Sequence, residues 1–244
     1  MLGGMGKGLP LGEEKKEIGM GKAEYRARLH YQDGEVVEGY EAKRFSGLSG
    51  WLRTRMEKRA VSKALDYLED GSLILDLPCG TGRFATLLSA HRMQMVQADI
   101  SWQMIQFASR HKCTSTGGFR FFVRCEAEAL PFREGAFEGV LCFRFIPHLP
   151  PGLRLKVLRE LARVSGEAVI VDYRFKYAFR YLSRWIRHRL GLVRSLRPRL
   201  SLSQIRSELL QAGLSPVRWI PVAWLFSEKV VVLCRKEGGA PGRR

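Results

Sequence analysis

The most informative stretch of this chain is Leu73-Ile74-Leu75-Asp76-Leu77-Pro78-Cys79-Gly80-Thr81-Gly82-Arg83-Phe84. An apolar run that contains an acidic residue leads into a glycine turn and then into the start of a helix. Asp99 stands at the end of the next predicted strand. Carboxylates beside a glycine turn are typical of a site that grips a nucleoside-containing cofactor. We therefore expect a cofactor-binding α/β protein.

Strands and helices alternate on both sides of this stretch. Predicted strands cover residues 73–77, 95–98, 119–123, 137–143, 168–172, 217–225 and 229–234. Predicted helices cover residues 51–68, 82–90, 101–111, 153–164 and 201–212. The first helix carries apolar residues near helical spacing, namely Leu52, Met56, Val61, Ala64, Leu65 and Leu68. Repeated strand–helix units predict a doubly wound, mostly parallel α/β sheet.

The chain has 244 residues, enough for one such domain. We expect a disordered leader at 1–22, rich in Gly and Lys, one folded domain at 23–236, and a disordered tail at 237–244. The five cysteines are scattered without a C-x-x-C pair, which predicts reduced thiols, a cytoplasmic setting and no metal site. The net charge of +17 favours an anionic partner, either nucleic acid, an acidic lipid surface or an anionic substrate.

The glycine turn also matches G-x-G-x-x-A, the pattern of dinucleotide sites, which is weak evidence by itself. In such sites the loop amides face a pyrophosphate, and that anion would repel a carboxylate at Asp76. A cofactor with a positive amine and a sulfonium, such as S-adenosylmethionine (SAM), would instead be attracted to it. Asp99 is expected to accept ribose hydroxyls, to cap the following helix, or to do both. The alternative is a strand–turn–helix without a ligand.

Four stretches together carry a more specific resemblance. They are Asp76-Leu-Pro-Cys-Gly-Thr-Gly, Asp99-Ile-Ser, Glu126-Ala-Glu-Ala-Leu-Pro-Phe and Phe137-Glu-Gly-Val-Leu-Cys. Over residues 40–234 the chain resembles the class I SAM-dependent methyltransferases, in their type 11 small-molecule branch. The resemblance implies a Rossmann-like sheet of seven strands with one antiparallel strand, SAM as the cofactor, and methyl transfer as the reaction.

The resemblance also implies which residues contact the cofactor. They are the loop residues Asp76, Pro78, Cys79, Gly80 and Gly82, then Asp99 and Ile100 after the second strand, Glu126 and Ala127 beside the adenine, Phe143 at the reaction site, and Tyr40 and Arg44 in a covering segment. Two positions depart from the family pattern. Pro78 replaces the first loop glycine and removes a backbone donor, and Glu138 replaces the usual aspartate before the fourth strand.

Three residues near the predicted opening of the active site are candidates for catalysis or for contact with the methyl acceptor. His148, just after the fourth strand, is expected either to act as a base or to support local packing. Arg144 is expected to meet an anionic acceptor or to remain a surface charge. Tyr173, after the fifth strand, is expected to hydrogen-bond the substrate or to pack. Methyl transfer itself mostly requires an acceptor held in line with the sulfonium.

A basic and aromatic insert at 173–200 interrupts the pattern, and no acidic residue occurs from Tyr173 to Ser207. A helical insert of this kind can lie on an anionic membrane, bind RNA, or cover the active site. We favour a small or lipid-linked anionic acceptor, with peripheral contact at the inner membrane surface. A tRNA or rRNA methyltransferase and a noncatalytic SAM-fold binding module are the alternatives, and the oligomeric state is left open.

Overall fold

The computed structural model describes residues 48–110, 119–175, 189, 199–223 and 228–236. Its strands are β1 Leu73–Asp76, β2 Gln94–Asp99, β3 Arg120–Arg124, β4 Phe137–Cys142, β5 Ser165–Arg174, β6 Leu214–Pro221 and β7 Lys229–Lys236. They form one sheet in the order β3-β2-β1-β4-β5-β7-β6. Strands β1 to β5 pair in parallel, and β7 is antiparallel to both β5 and β6. The predicted seven-stranded, mostly parallel Rossmann-like sheet is confirmed.

The helices cover both faces of the sheet. They are α1 Leu48–Leu65, α2 Ala85–Ala90, α3 Trp102–Arg110, α4 Pro151–Val164 and α5 Leu202–Gln211, with a 3₁₀ turn at Ile146–His148. Successive strand residues point to opposite faces. Ile74 accordingly packs in the core shared with α1 and α2, whereas Leu75 packs in the core shared with α4 and α5. Continuous apolar strands therefore bury both faces of the sheet.

Local signals fix several helix ends. Ser201 and Gln204 form a capping box at the start of α5, with each side chain accepting from the other residue's amide. The Ser101 hydroxyl accepts the Met104 amide at 3.3 Å in the first turn of α3. The predicted helix 51–68 corresponds to α1, but the placement of Leu52 on its buried face is wrong. Leu52 is 48% exposed because it lies half a turn around the helix from the fully buried Val61.

The strand order places a switch point at the carboxyl end of β1. From β1 the chain moves outward to β2 and β3, then crosses back so that β4 pairs with the other side of β1. Ligands of open α/β sheets bind in the crevice at such a point, outside the carboxyl ends of the strands. The loops after β1, β2, β3 and β4 all meet at that edge. The leader, the tail and residues 176–188 and 190–198 of the predicted insert lie outside the described residues.

Candidate functional site

The loop of residues 77–82, which follows β1, is held by both neighbouring strands. The Leu77 amide donates to the Leu141 carbonyl at 2.9 Å. The Cys79 amide donates to the Ala98 carbonyl at 2.8 Å. The loop therefore has its backbone fixed on the β4 side and on the β2 side, which pre-organises it for a ligand.

Two loop positions require glycine. Gly80 and Gly82 have φ of +53° and +76°, a conformation that other residues adopt only at a cost. A Cβ on Gly82 would lie 3.1 Å from both Ala108 Cβ and Arg120 Nη2, so this turn packs tightly against its neighbours. A Cβ on Gly80 would meet no heavy atom within 4 Å. The Gly80 side of the loop thus faces open space, where a ligand can approach the backbone.

Asp99 ends β2 beside this open space. Its two carboxylate oxygens accept the Gly80 amide and the Ser101 amide, each at 2.9 Å. Burial raises the pKa of the Asp99 carboxyl, while backbone hydrogen bonds from Ser101, Gly80 and Ile100 act in the opposite direction. A carboxylate offers about four acceptor sites, so Asp99 can still accept from a hydroxyl group. This arrangement fits a ribose held through its hydroxyls.

Asp76 ends β1 on the other side of the loop and is 2% exposed. Its Oδ2 accepts a hydrogen bond from Gln97 Nε2 at 2.8 Å. Burial raises the pKa of Asp76 to about 7, even though the Gln97 hydrogen bond and the nearby Arg120 lower it. A cation placed next to Asp76 would favour its ionised form. The residues present therefore fit the amine-bearing end of SAM as well as its ribose.

The segment predicted to lie beside the adenine follows β3 directly. The Cys125 amide donates to the Asp99 carbonyl at 3.1 Å, which ties this segment to the end of β2. Glu126 is exposed and Ala127 is half-buried, as is Ile100 after β2. The structure thus brings the candidates from the loop, from β2 and from β3 to one continuous edge of the sheet, with Pro78 and Cys79 in the loop itself.

A buried charge cluster occupies the same edge on the α1 side. Glu57 on α1 is fully buried and accepts from Arg83 Nη2 at 2.5 Å, Arg144 Nη2 at 2.7 Å and Lys229 Nζ at 2.5 Å. Burial alone would raise the pKa of Glu57, but Lys229, Arg83 and Arg144 together lower it to about 2. Glu57 therefore remains a carboxylate and joins α1 to the loops after β1 and β4 and to the start of β7.

A second carboxyl group, Asp172 near the end of β5, completes this cluster. Its Oδ1 accepts the Arg144 amide at 2.5 Å, and Arg144 has a left-handed φ of 61°. Burial raises the pKa of Asp172 and lowers that of Lys229, whose ammonium group is attracted by Glu57 and Asp172. Three cationic side chains thus face two carboxyl groups, so the cluster carries excess positive charge.

The residues predicted to lie at the reaction site differ in their burial and in their contacts. Phe143 is 6% exposed, and its ring packs edge-on against Phe84 with centroids 5.0 Å apart. His148 is exposed at the end of the 3₁₀ turn. Tyr173 is 1% exposed, and its hydroxyl donates to Glu208 Oε2 on α5 at 3.0 Å. Tyr173 thus lies in the core and contacts α5, which agrees with its packing alternative.

Sequence reasoning did not single out several residues of this edge. Glu57 and Lys229 of the charge cluster were missed, as were Gln97 and Arg120 next to Asp76. A signal existed for Glu57, because it lies one turn before Val61 on the buried face of a helix, where an acidic residue needs partners. Tyr40 and Arg44, predicted to cover the cofactor, lie outside the described residues.

Within the described ranges, no group of three or more His, Cys, Asp or Glu side chains is arranged to hold a metal ion. The same part of the chain contains no helix that is both long and apolar enough to cross a membrane.

Comparison with known proteins gives a family match over part of the chain and several partial relatives. Residues 74–167 match the family model described as a methyltransferase domain. The chain is 28% identical over 141 residues to a probable tRNA methyltransferase 9B of Homo sapiens, covering 57% of this chain and 28% of that protein. It is 33% identical over 122 residues to a demethylmenaquinone methyltransferase of Thermus thermophilus, covering 49% of this chain and 54% of that one. The chain thus spans only part of the length of these relatives.

The fold is similar to the crystal structure of magnesium protoporphyrin IX methyltransferase from Synechocystis PCC 6803 with bound SAH. That comparison has a TM-score of 0.71 at 18% identity and covers 88% of this chain and 100% of the other. Residues 74–167 are thus identified as a methyltransferase domain, in agreement with the predicted resemblance to class I SAM-dependent methyltransferases. The likeness to the SAH-bound structure confirms the predicted fold.

Proposed function

We propose that this protein binds SAM and transfers its methyl group to a small or lipid-linked anionic acceptor. The observation that carries the proposal is the pair of buried carboxylates, Asp76 and Asp99, at the ends of adjacent strands on either side of the Gly80 turn. A carboxylate pair on this turn suits an amine and a ribose and opposes a pyrophosphate.

When bound, SAM supplies a methyl group already activated by its sulfonium. The chain's own residues then have to hold and align the reactants. Asp76 would hold the amine, Asp99 the ribose hydroxyls, and the segment at Glu126–Ala127 the adenine edge. Phe143, rigid against Phe84, would form an apolar wall next to the acceptor.

The charge cluster supports an anionic acceptor. Arg83, Arg144 and Lys229 exceed the two carboxyl groups they face by one charge when both are ionised. An anion brought to this edge would be attracted by that excess. His148, exposed beyond the end of β4, would take a proton from an acceptor that has to lose one. Tyr173 remains the weakest of the catalytic predictions, because its hydroxyl is held by Glu208.

Two surface features support an acceptor at an anionic membrane. Phe175 and Leu200, near the two ends of the insert predicted at 173–200, form a bridge at the carboxyl edge of the sheet. On α1, Trp51 and Leu52 are 53% and 48% exposed. The adjoining arginines Arg53, Arg55 and Arg59 are exposed as well. Exposed apolar side chains among arginines are typical of helices that lie on acidic lipid.

The second candidate is methylation of RNA. The net charge of +17 and the relatives named as probable tRNA methyltransferases favour it. Two binding assays separate the lipid and RNA candidates: co-sedimentation with vesicles of anionic lipid, and binding to purified tRNA. In each assay wild type is compared with the double variant Trp51→Ala, Leu52→Ala. We expect wild type to co-sediment with the vesicles and the double variant to co-sediment less. The control Trp102→Ala, at a position that is 51% exposed, is expected to co-sediment as wild type does. Binding to tRNA and not to vesicles would favour the RNA candidate.

Labelling with tritiated SAM tests the reaction itself. Cell extract incubated with the protein is separated into lipid, RNA and small-molecule fractions, and the label is counted in each. We expect label in the lipid or small-molecule fraction with wild type and none with Asp99→Ala. If wild type binds SAM but labels no fraction, the noncatalytic alternative is supported.

A further inference from the structure

A chain of hydrogen bonds runs from the edge of the sheet to Asp76. Arg120 on the edge strand β3 donates from Nε to Gln97 Oε1 at 2.7 Å, and Gln97 donates from Nε2 to Asp76 Oδ2 at 2.8 Å. Gln97 is fully buried, and it is the direct register partner of Asp76 between β2 and β1. The three side chains therefore link three adjacent strands inside the protein.

The donor and acceptor groups fix the direction of the hydrogen bonds from Arg120 to Asp76. An arginine side chain has donors and no acceptor, so its bond fixes the Gln97 amide with Oε1 toward Arg120 and its NH₂ toward Asp76. That NH₂ group needs an acceptor, and an ionised carboxylate offers acceptors on both oxygens. The chain thus favours the ionised form of Asp76 and fixes the orientation of its carboxylate.

Arg120 is itself held in place. Its Nη2 donates to the Ala108 carbonyl on α3 at 2.9 Å, and its guanidinium lies 4.7 Å from the centroid of the Phe122 ring. The same Nη2 lies 3.1 Å from the point where a Cβ on Gly82 would stand. The guanidinium is therefore positioned by α3 and β3 and lies directly against the glycine loop.

The ionisable groups around Asp76 come from β2, from the glycine loop, from β4 and from β3. Asp99 on β2 disfavours a charge on Asp76. The thiols of Cys79 in the loop and Cys142 on β4 both have their pKa raised well above the usual value by burial, so they are neutral. Arg120 on β3 is the cation that favours an ionised Asp76.

We propose that Gln97 and Arg120 are positioning residues, which favour the ionised form of the Asp76 carboxyl group and orient it for the cationic amine of SAM. This rests on the proposed function for the contact between Asp76 and the cofactor. The hydrogen-bond chain itself is independent of that contact, so the two can fail separately.

The first measurement is the titration of Asp76 in the SAM-free protein, followed by ¹³C NMR of the aspartate carboxyl groups. The signal is assigned with Asp76→Asn. The wild-type midpoint is expected near pH 7. Gln97→Met keeps the side-chain length and removes the hydrogen bond, so the midpoint is expected to rise by about one pH unit or more. Arg120→Met, at a half-buried position, gives a second variant with the same expected direction.

Gln94→Met on the same strand is the matched control and is expected to leave the midpoint near pH 7. Circular dichroism checks that each variant is folded. An unchanged midpoint in both Gln97→Met and Arg120→Met would overturn the inference.

The second measurement is SAM affinity by calorimetry at pH 7. A rise in midpoint from about 7 to about 8 lowers the ionised fraction of Asp76 from about one half to about one tenth. SAM affinity in Gln97→Met is then expected to fall about fivefold. If the midpoint rises and the SAM affinity does not fall, the hydrogen bonds set the pKa of Asp76 but Asp76 does not hold the amine of SAM. In that case the assignment of Asp76 in the proposed function fails. If wild type does not bind SAM, the proposed function fails while the titration still tests the chain.

Discussion

Replacing Glu57 with glutamine tests whether the buried charge cluster holds α1 against the sheet. The fully buried Glu57 carboxylate accepts hydrogen bonds from Arg83, Arg144 and Lys229. Glutamine has nearly the same shape but no charge, and its NH₂ group would face a cation instead of accepting from it. Three buried cations would then lose their shared counter-charge, which is costly in a low-dielectric interior.

The size of the effect follows from the pKa of Glu57, which falls from 4.5 to about 2 in the folded protein. At about 1.4 kcal/mol for each tenfold change in proton affinity, this fall corresponds to about 3 kcal/mol of folding free energy. That value agrees with the roughly 3–5 kcal/mol lost when one partner of a buried ion pair is removed. Because the folded pKa is lowered, this stability is present above about pH 4.5 and is lost as the pH falls toward about 2.

Urea unfolding followed by far-ultraviolet circular dichroism measures the difference. At pH 7 we expect Glu57→Gln to unfold at a clearly lower urea concentration than wild type. The difference between the two urea midpoints is expected to become smaller as the pH falls from 5 to 3. Glu134→Gln is the matched control, since Glu134 pairs with Lys236 on the surface at 72% exposure and its loss should hardly move the midpoint. The proposed role of Glu57 would be wrong if wild type and Glu57→Gln had equal urea midpoints at pH 7. It would also be wrong if the difference between their midpoints stayed the same in acid.

Three further substitutions test other parts of the structure. Gly82→Ala should lower the urea midpoint more than Gly213→Ala, since both have a φ of +76° but only the first Cβ meets close neighbours. Ser201→Ala should cost about 1 kcal/mol through loss of the capping box and should speed amide exchange in the first turn of α5. Tyr173→Phe should cost about 1 kcal/mol and leave the methyl-transfer rate unchanged, whereas a large loss of rate in a stable variant would restore the catalytic prediction.

The fold was predictable because its signals are local. Each parallel strand is a short apolar run, since both of its faces are buried, and each is followed by a turn signal and an amphipathic helix. The apolar run at 73–77, the glycine turn and Asp99 lie within 27 residues and define one strand–helix–strand unit. Strand ends differed from the prediction because hydrogen bonding to neighbouring strands decides them: β5 extends from Ser165 to Arg174, where β7 still pairs with it.

The positions of Asp76 and Asp99 beside the glycine turn were predictable for the same reason, and the charge cluster was not. Asp76 and Asp99 are recognisable by their places at strand ends. Glu57 and Lys229 are 172 residues apart, and they meet because α1 and the start of β7 both lie at the carboxyl edge of the sheet. No local pattern encodes that meeting. Gln97 was missed because a polar residue inside a short strand has no partner that sequence spacing can identify.

A crystal structure of the protein with S-adenosylhomocysteine would show whether the two carboxylates hold the cofactor. We predict both ribose hydroxyls within hydrogen-bond distance of the Asp99 carboxylate and the amine on the Asp76 side of the Gly80 turn. An adenosine bound elsewhere, or a ribose turned away from Asp99, would contradict this prediction.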